Sequence, residues 1–180
     1  MLGPKETVAD QPARPDERPA NPTMAQEEIE RFLQRPFVGI LSWVTAKGEL
    51  ASSPVWHEYR DGKIWIASSS AFAKARSIAK HPAVSFCVQD PEPPYRYVSV
   101  RARAVVHADK DAAHSLDTRL AVRYLGAAGG RYYTEHIAPT YPGEGRLLEL
   151  TPTHVSSMDG TAGMDPAVLA AMRAVRAAGK

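Results

Sequence analysis

The sequence predicts a mainly β, α+β fold: a small antiparallel β-barrel with a few peripheral helices. Three observations carry this. Short β-branched and aromatic runs recur through the middle of the chain, tight Gly-containing turns separate them, and one long run places apolar residues at every second position, with arginines between some of them. With 180 residues, 44% of them hydrophobic, the chain can bury one real core. Periodicity leaves a closed barrel and an open sheet packed on helices equally open, although closure would remove exposed sheet edges.

Residues 1–22 carry Pro4, Pro12, Pro15, Pro19 and Pro22 among charges, with almost no large apolar side chains. They cannot bury enough to offset ordering entropy and are expected to be a disordered or loosely draped tail. A helix follows, with Thr23 and Gln26 spaced as a capping box, Ile29, Phe32 and Leu33 forming its apolar stripe, and Pro36 ending it. FVGILSWVT, LASSPVWHEY and IWIASS, joined by the turns AKGE and RDGK, then predict a three-strand meander. Pro54 cannot donate to a ladder, so its strand belongs at an edge or a bulge.

Next comes SSSAFAKARSIAK, a serine cluster leading into a short basic helix. With Ser70 as N-cap, Lys74 and Arg76 fall in the opening turns. There the helix dipole disfavours cations by a few tenths of a kcal/mol. A bound anion reverses that sign, since helix-terminal N–H groups, the hydroxyls of Ser68, Ser69 and Ser70, and a lysine can share one phosphate. An ordinary solvated face accounts for the two cations equally well. On an ideal helix they point about 200° apart, which makes Lys74 the firmer candidate.

AVSFCVQD predicts another strand. In YVSVRARAVVHAD, Val98, Val100, Ala102, Ala104 and Val106 share one face, and Arg101, Arg103 and His107 the other. DKDAAHSLDTRLAVRYLG reads as a helix with Leu116, Leu120 and Tyr124 in line, AAGGRYYTEHIAPTYPGE as an irregular linker, and GRLLELTPTHVSSM as a strand. A last helix is capped by Asp165 with Pro166 at its first position, and Val168, Leu169, Met172 and Val175 lie on one side. The expected organisation is thus a tail over 1–22, one domain over 23–160 and a C-terminal helix over 161–180.

Several function classes are set aside. A net charge of +2 without a basic stripe gives no expectation of nucleic-acid binding. No stretch has the apolar length of a membrane span, and MLGPKETVAD lacks the apolar core of a signal peptide, so cytoplasm is expected. Cys87 is the single cysteine and is expected as an inert, buried thiol. The histidines are scattered without metal-ligand spacing, and the chain has no dinucleotide or P-loop glycine motif and no nucleophile elbow. A phosphate-binding element without an acid–base constellation points to a cofactor that carries the chemistry itself.

The ordered series Gly48, Pro54-Val55-Trp56, Lys74, His81-Pro82, then YVSVRARAVV, LGAAGGRYY and LLELTPTHVSSMDG resembles the pyridoxamine 5′-phosphate oxidase-like split-barrel superfamily, over roughly residues 36–158. Within it, the chain looks most like the flavin/deazaflavin oxidoreductases of actinobacteria. The resemblance implies a six-stranded antiparallel split barrel of the FMN-binding type, with cofactor held at a homodimer interface. Ser53, Pro54, Val55 and Trp56 would line the ring. Ser68, Ser69, Ser70 and Lys74 would hold a phosphate, with Arg76 close by.

Coenzyme F420 is the implied cofactor, FMN its alternative, and hydride transfer to a small conjugated organic molecule the implied reaction. A non-catalytic flavin or haem binder is the alternative role. Trp56, Tyr95 and Tyr97 are candidates for an aromatic wall, with core or interface packing as their plain role. Two departures set the chain apart from pyridoxamine phosphate oxidases proper. LASSPVWHEY has no basic residue for FMN, and the Ala-rich C-terminus lacks the Arg and His for pyridoxal phosphate. An isologous dimer also follows from small barrel size, since strands such as IWIA need cover on their outer faces.

Overall fold

The computed structural model describes residues 22–178; the expected tail, residues 1–21 in particular, lies outside them. Seven antiparallel strands form one sheet in the order β2-β1-β5-β6-β7-β4-β3. They are β1 (Gly39–Val44), β2 (Leu50–Val55), β3 (Glu58–Arg60), β4 (Lys63–Ser69), β5 (Ala83–Gln89), β6 (Arg96–His107) and β7 (Gly145–Asp159). The helices are α1 (Gln26–Leu33), α2 (Ala73–Lys80), α3 (Lys110–Tyr132) and α4 (Pro166–Ala178).

The sheet is not closed, since β2 and β3 are its two edges. Its inner face carries Leu41, Ile64, Ile66, Phe86, Val88, Val98, Val100, Leu148 and Leu150, all essentially without solvent contact, and α1 and α2 complete the core with Phe32, Leu33 and Ile78. Period-two alternation predicts this face correctly. Val98, Val100, Ala102 and Ala104 of β6 are buried and Arg101 and Arg103 exposed. A bulge leaves Thr153 of β7 outside the register, and its Oγ1 donates to the Arg101 carbonyl at 3.0 Å. A separate layer forms where α3 lays Ala113, Leu116, Leu120 and Ala121 against β4 and β7.

The structure corrects the expected strands. There are seven, not six, and the meander does not exist, because LASSPVWHEY is two strands on opposite edges. β2 pairs only with β1 and β3 only with β4. The break falls at Trp56-His57, where side chains outcompete the ladder. The buried His57 ring donates from Nε2 to the Leu33 carbonyl at 2.9 Å, and Trp56 stacks on Tyr124 with ring centroids 5.3 Å apart. Pro54 occupies an edge strand, as its missing N–H requires.

Helix starts shift as well. α1 is capped at Ala25, not Thr23, because the Glu28 carboxylate accepts from the Ala25 N–H at 3.2 Å. The expected linker after residue 126 is helical. Gly126 breaks α3 at φ +74°, the helix resumes, and a π-helical turn (Tyr133–Ile137) and a 3₁₀ turn (Ala138–Thr140) follow. The C-terminal helix is capped as expected, with Asp165 Oδ1 accepting from the Ala167 N–H at 2.6 Å. Its residues Val168 and Val175 remain 49% and 76% exposed.

Candidate functional site

Two adjoining hollows are lined by residues 54–56 within and just after β2, by residues 67–69 of β4, and by the stretch from α3 to Tyr141. The larger, about 440 Å³, is lined by Pro54, Val55, Trp56, Lys74 and Leu120. The smaller, about 270 Å³, is lined by Ser68, Ser69, Lys110, His114 and Thr134. Ala67, Phe72, Asp117, Tyr133 and Tyr141 line both, so the two form one groove.

α2 starts two residues later than the serines suggest, with Phe72 at the N-cap. Ser69 and Ser70 are engaged elsewhere. Ser69 Oγ donates to the Pro142 carbonyl and accepts from the Ala71 N–H, while Ser70 Oγ accepts from the Glu144 N–H at 2.9 Å. These bonds seat residues 142–144 on the serine cluster. Lys74 thereby becomes the second residue of α2, closer to the positive helix end than expected. It forms no ion pair among the described residues, its Nζ lies 5.5 Å from the centre of the Phe72 ring, and burial lowers its pKa. Arg76 turns back instead, donating to the Ser70 carbonyl at 3.2 Å and to that of Ala71. The two cations therefore diverge, as the helical period predicts.

Pro54, Val55, Trp56 and Lys74 thus share the larger hollow, and Ser68 and Ser69 the smaller. Ser53, Ser70 and Arg76 line neither. Ser53 Oγ and Ser68 Oγ are buried without a hydrogen-bond partner. Tyr95 and Tyr97 also line neither hollow, and the aromatic wall comes from elsewhere. Trp56 packs against Tyr124 and Tyr133, and Tyr141 lies against Phe72 and Tyr133. Sequence reasoning misses Asp117, Tyr133 and Tyr141. Asp117 had a legible signal as an acid beside the apolar line of Leu116 and Leu120, whereas the tyrosines sit in the stretch read as linker.

The groove perturbs its ionisable groups. Burial raises the pKa of Asp117, an effect opposed by His114. Burial, with Asp117 and Tyr141 adding to it, raises that of Tyr133 well above the usual phenol. His57 sits behind the groove, fully buried, with Nδ1 3.1 Å from the Tyr124 hydroxyl. Desolvation lowers its pKa to about 4, so the neutral ring is held in place structurally. Cys87 is half-buried, with its thiol pKa raised by burial. No group of His, Cys, Asp and Glu among the described residues has metal-site geometry, and no described helix is long and apolar enough to cross a membrane.

The sequence pattern of the pyridoxamine 5′-phosphate oxidase family matches residues 25–159, a span that includes every residue of the groove. No curated protein matches the chain. Among solved structures, a conserved hypothetical protein of Mycobacterium tuberculosis superposes with a TM-score of 0.66 at 21% identity, covering 83% of this chain and 94% of its own. An F420 reductase superposes with a TM-score of 0.56 at 26% identity, covering 71% and 94%. An FAD-binding protein of Mesorhizobium loti gives 0.55 at 19% identity, covering 77% and 96%.

Proposed function

From its membership of the pyridoxamine 5′-phosphate oxidase family, to which this chain belongs, we propose that the protein is an oxidoreductase transferring hydride between coenzyme F420 and a small conjugated organic substrate. One observation carries this reading. Lys74, desolvated and without a carboxylate partner among the described residues, stands at the start of α2 beside an apolar wall of Pro54, Val55 and Trp56. A half-buried cation without a counter-charge is unfavourable in the free protein and becomes favourable once an anion reaches it. The larger hollow lies within the usual range of small-ligand sites, about 300–1,000 Å³. These residues fit a cofactor with an anionic arm and a flat ring.

When bound, the deazaflavin supplies the ring carbon that carries the hydride. Lys74 binds its anionic arm together with the free N–H groups opening α2. Pro54, Val55 and Trp56 orient the ring and exclude water, so that the chain contributes positioning and electrostatics. β2 holds no Lys or Arg, which supports the deazaflavin over FMN. The F420 reductase among the structural neighbours supports it too.

A homodimer forms part of this reading. On the outer face of the sheet, Pro54, Ile40, Cys87 and Ser99 fall in one cross-strand row, with Pro54 and Ile40 exposed. A second copy laid isologously over this row would cover it and wall the cofactor groove beside Pro54.

Titrating the purified protein with F420, FMN and FAD, followed by cofactor absorbance and fluorescence, tests the proposal. Tightest binding of F420, with reoxidation of its reduced form by an enone or quinone, is the expected result. Preference for FMN overturns the deazaflavin assignment. Tight binding with no reoxidation by any acceptor favours the non-catalytic binder.

A further inference from the structure

Asp117 lines both hollows of the groove, yet it forms no hydrogen bond or ion pair among the described residues; His114 acts on it electrostatically, and His114 and Lys110, both exposed, line the smaller hollow with it. A half-buried carboxylate without a hydrogen-bonded partner is unfavourable in the free protein. Its surroundings add to this, because Phe72, Tyr133 and Tyr141 line the same two hollows and Trp56 the larger. Phe72 meets Tyr141 at 73° and Tyr133 meets Tyr141 at 54°. The rings are therefore tilted, and the lining offers π-faces in more than one direction. Aromatic faces carry negative potential, which repels a carboxylate and attracts a cation. Both features ask for the same property in a ligand.

The geometry points to a substrate that carries an organic cation, a protonated amine or alkylated ammonium, held between Asp117 and the rings of Phe72, Tyr133 and Tyr141. This deepens the oxidoreductase reading and rests on it for calling the cation a substrate. Lys74 at the larger hollow takes the anionic arm of the cofactor, and Asp117 takes the positive group of the molecule beside it. The two charges line one groove without pairing to each other, so each remains available to a ligand of opposite sign. A neutral molecule of the same shape would leave Asp117 without a hydrogen-bonded partner and is discriminated against.

Isothermal titration of the cofactor-free protein at pH 7.5 and constant ionic strength, with benzyltrimethylammonium and its neutral counterpart benzyl alcohol as probes, tests this. The ammonium should bind at least about tenfold tighter than the alcohol, a difference of the size expected for one charge-assisted contact. A net charge of +2 gives the protein no overall attraction for cations, so the preference reports the site.

Asp117→Asn should lose about tenfold in ammonium affinity and leave benzyl alcohol unchanged. Tyr141→Leu, which keeps the carboxylate, should lose a smaller factor and carries the test should Asp117→Asn fail to fold. Equal affinities for ammonium and alcohol, no binding of any probe, or indifference to both substitutions overturns the inference. F420 titration of the same proteins separates the two readings. Intact F420 binding without ammonium preference overturns this inference alone. Lost F420 binding with the preference intact overturns the cofactor assignment alone.

Discussion

At the scale of single residues, Lys74 and His57 answer different questions. Lys74→Ala should weaken F420 binding about ten- to a hundredfold, the equivalent of one charge-assisted contact of roughly 1.5–3 kcal/mol. Lys74→Met should leave the cofactor-free protein unchanged or slightly more stable in urea, because an unpaired half-buried charge is removed from the positive end of α2. Unchanged F420 affinity in Lys74→Ala would make this lysine an ordinary surface residue. His57 governs acid stability. Its folded pKa of about 4 lies below the unfolded value of 6.5, so between these values the unfolded chain binds the extra proton. Its contribution is complete above about pH 6.5 and lost as pH falls toward 4, up to roughly 3 kcal/mol. Urea midpoints for wild type and His57→Gln should therefore converge as pH drops across this window, and parallel pH profiles would contradict the assignment. Lys74 was legible in sequence because its charge conflicts with the local helix dipole. Asp117 is visible in the sequence only as an acid beside the apolar line of Leu116 and Leu120, and its place in the groove depends on the distant Tyr133 and Tyr141 lining the same hollows.

Among elements, the serine cluster and residues 142–144 form one unit. Gly143 has φ +84°, and a Cβ there would come within 2.7–2.8 Å of Ser69 Oγ, Ala71 N and Ser70 Oγ. Gly48, in the turn between β1 and β2, has φ +82° with nothing within 4 Å of such a Cβ. Gly48→Ala should cost only the conformational penalty of ~1 kcal/mol. Gly143→Ala adds overpacking and should cost about 2–4 kcal/mol, while weakening cofactor binding by disturbing the start of α2. Equal losses in the two variants, measured by urea titration, would show that the loop is not seated as described. The elements that were legible are those fixed by their own periodicity, namely β5, β6, β7 and the first turns of α3. The start of α2 and the helical stretch after Gly126 were misread because distant partners decide them. Ser70 looks like a helix cap until its hydroxyl takes the Glu144 N–H, and AAGGRYY looks like a linker until helical geometry resumes beyond one glycine.

For the whole molecule, the proposed isologous pairing of outer sheet faces predicts a dimer in sedimentation velocity at micromolar concentration. Ile40→Glu should shift the protein toward monomer and lower F420 affinity together, since the same face walls the groove. A monomer that binds cofactor with unchanged affinity would contradict both the pairing and the interfacial site. The mainly antiparallel, α+β class was legible in the alternation of β6 and the turn glycines, but the seven-strand order was not, because nothing local says that Pro54 and Glu58 belong to opposite edges of one sheet. That crossing has a dynamic consequence. Residues 56–57 tether two edges that share no ladder, and Trp56 also lines the groove. Separation of the edges strains the tether and disturbs the ring wall, so a ligand resting on Trp56 opposes the opening of both. Amide hydrogens of β2 and β3, far apart in sheet order, should then slow their exchange with solvent in concert on cofactor addition, by a common factor approaching 1 + [L]/Kd, while amides that exchange only by local fraying of α4 keep their rates.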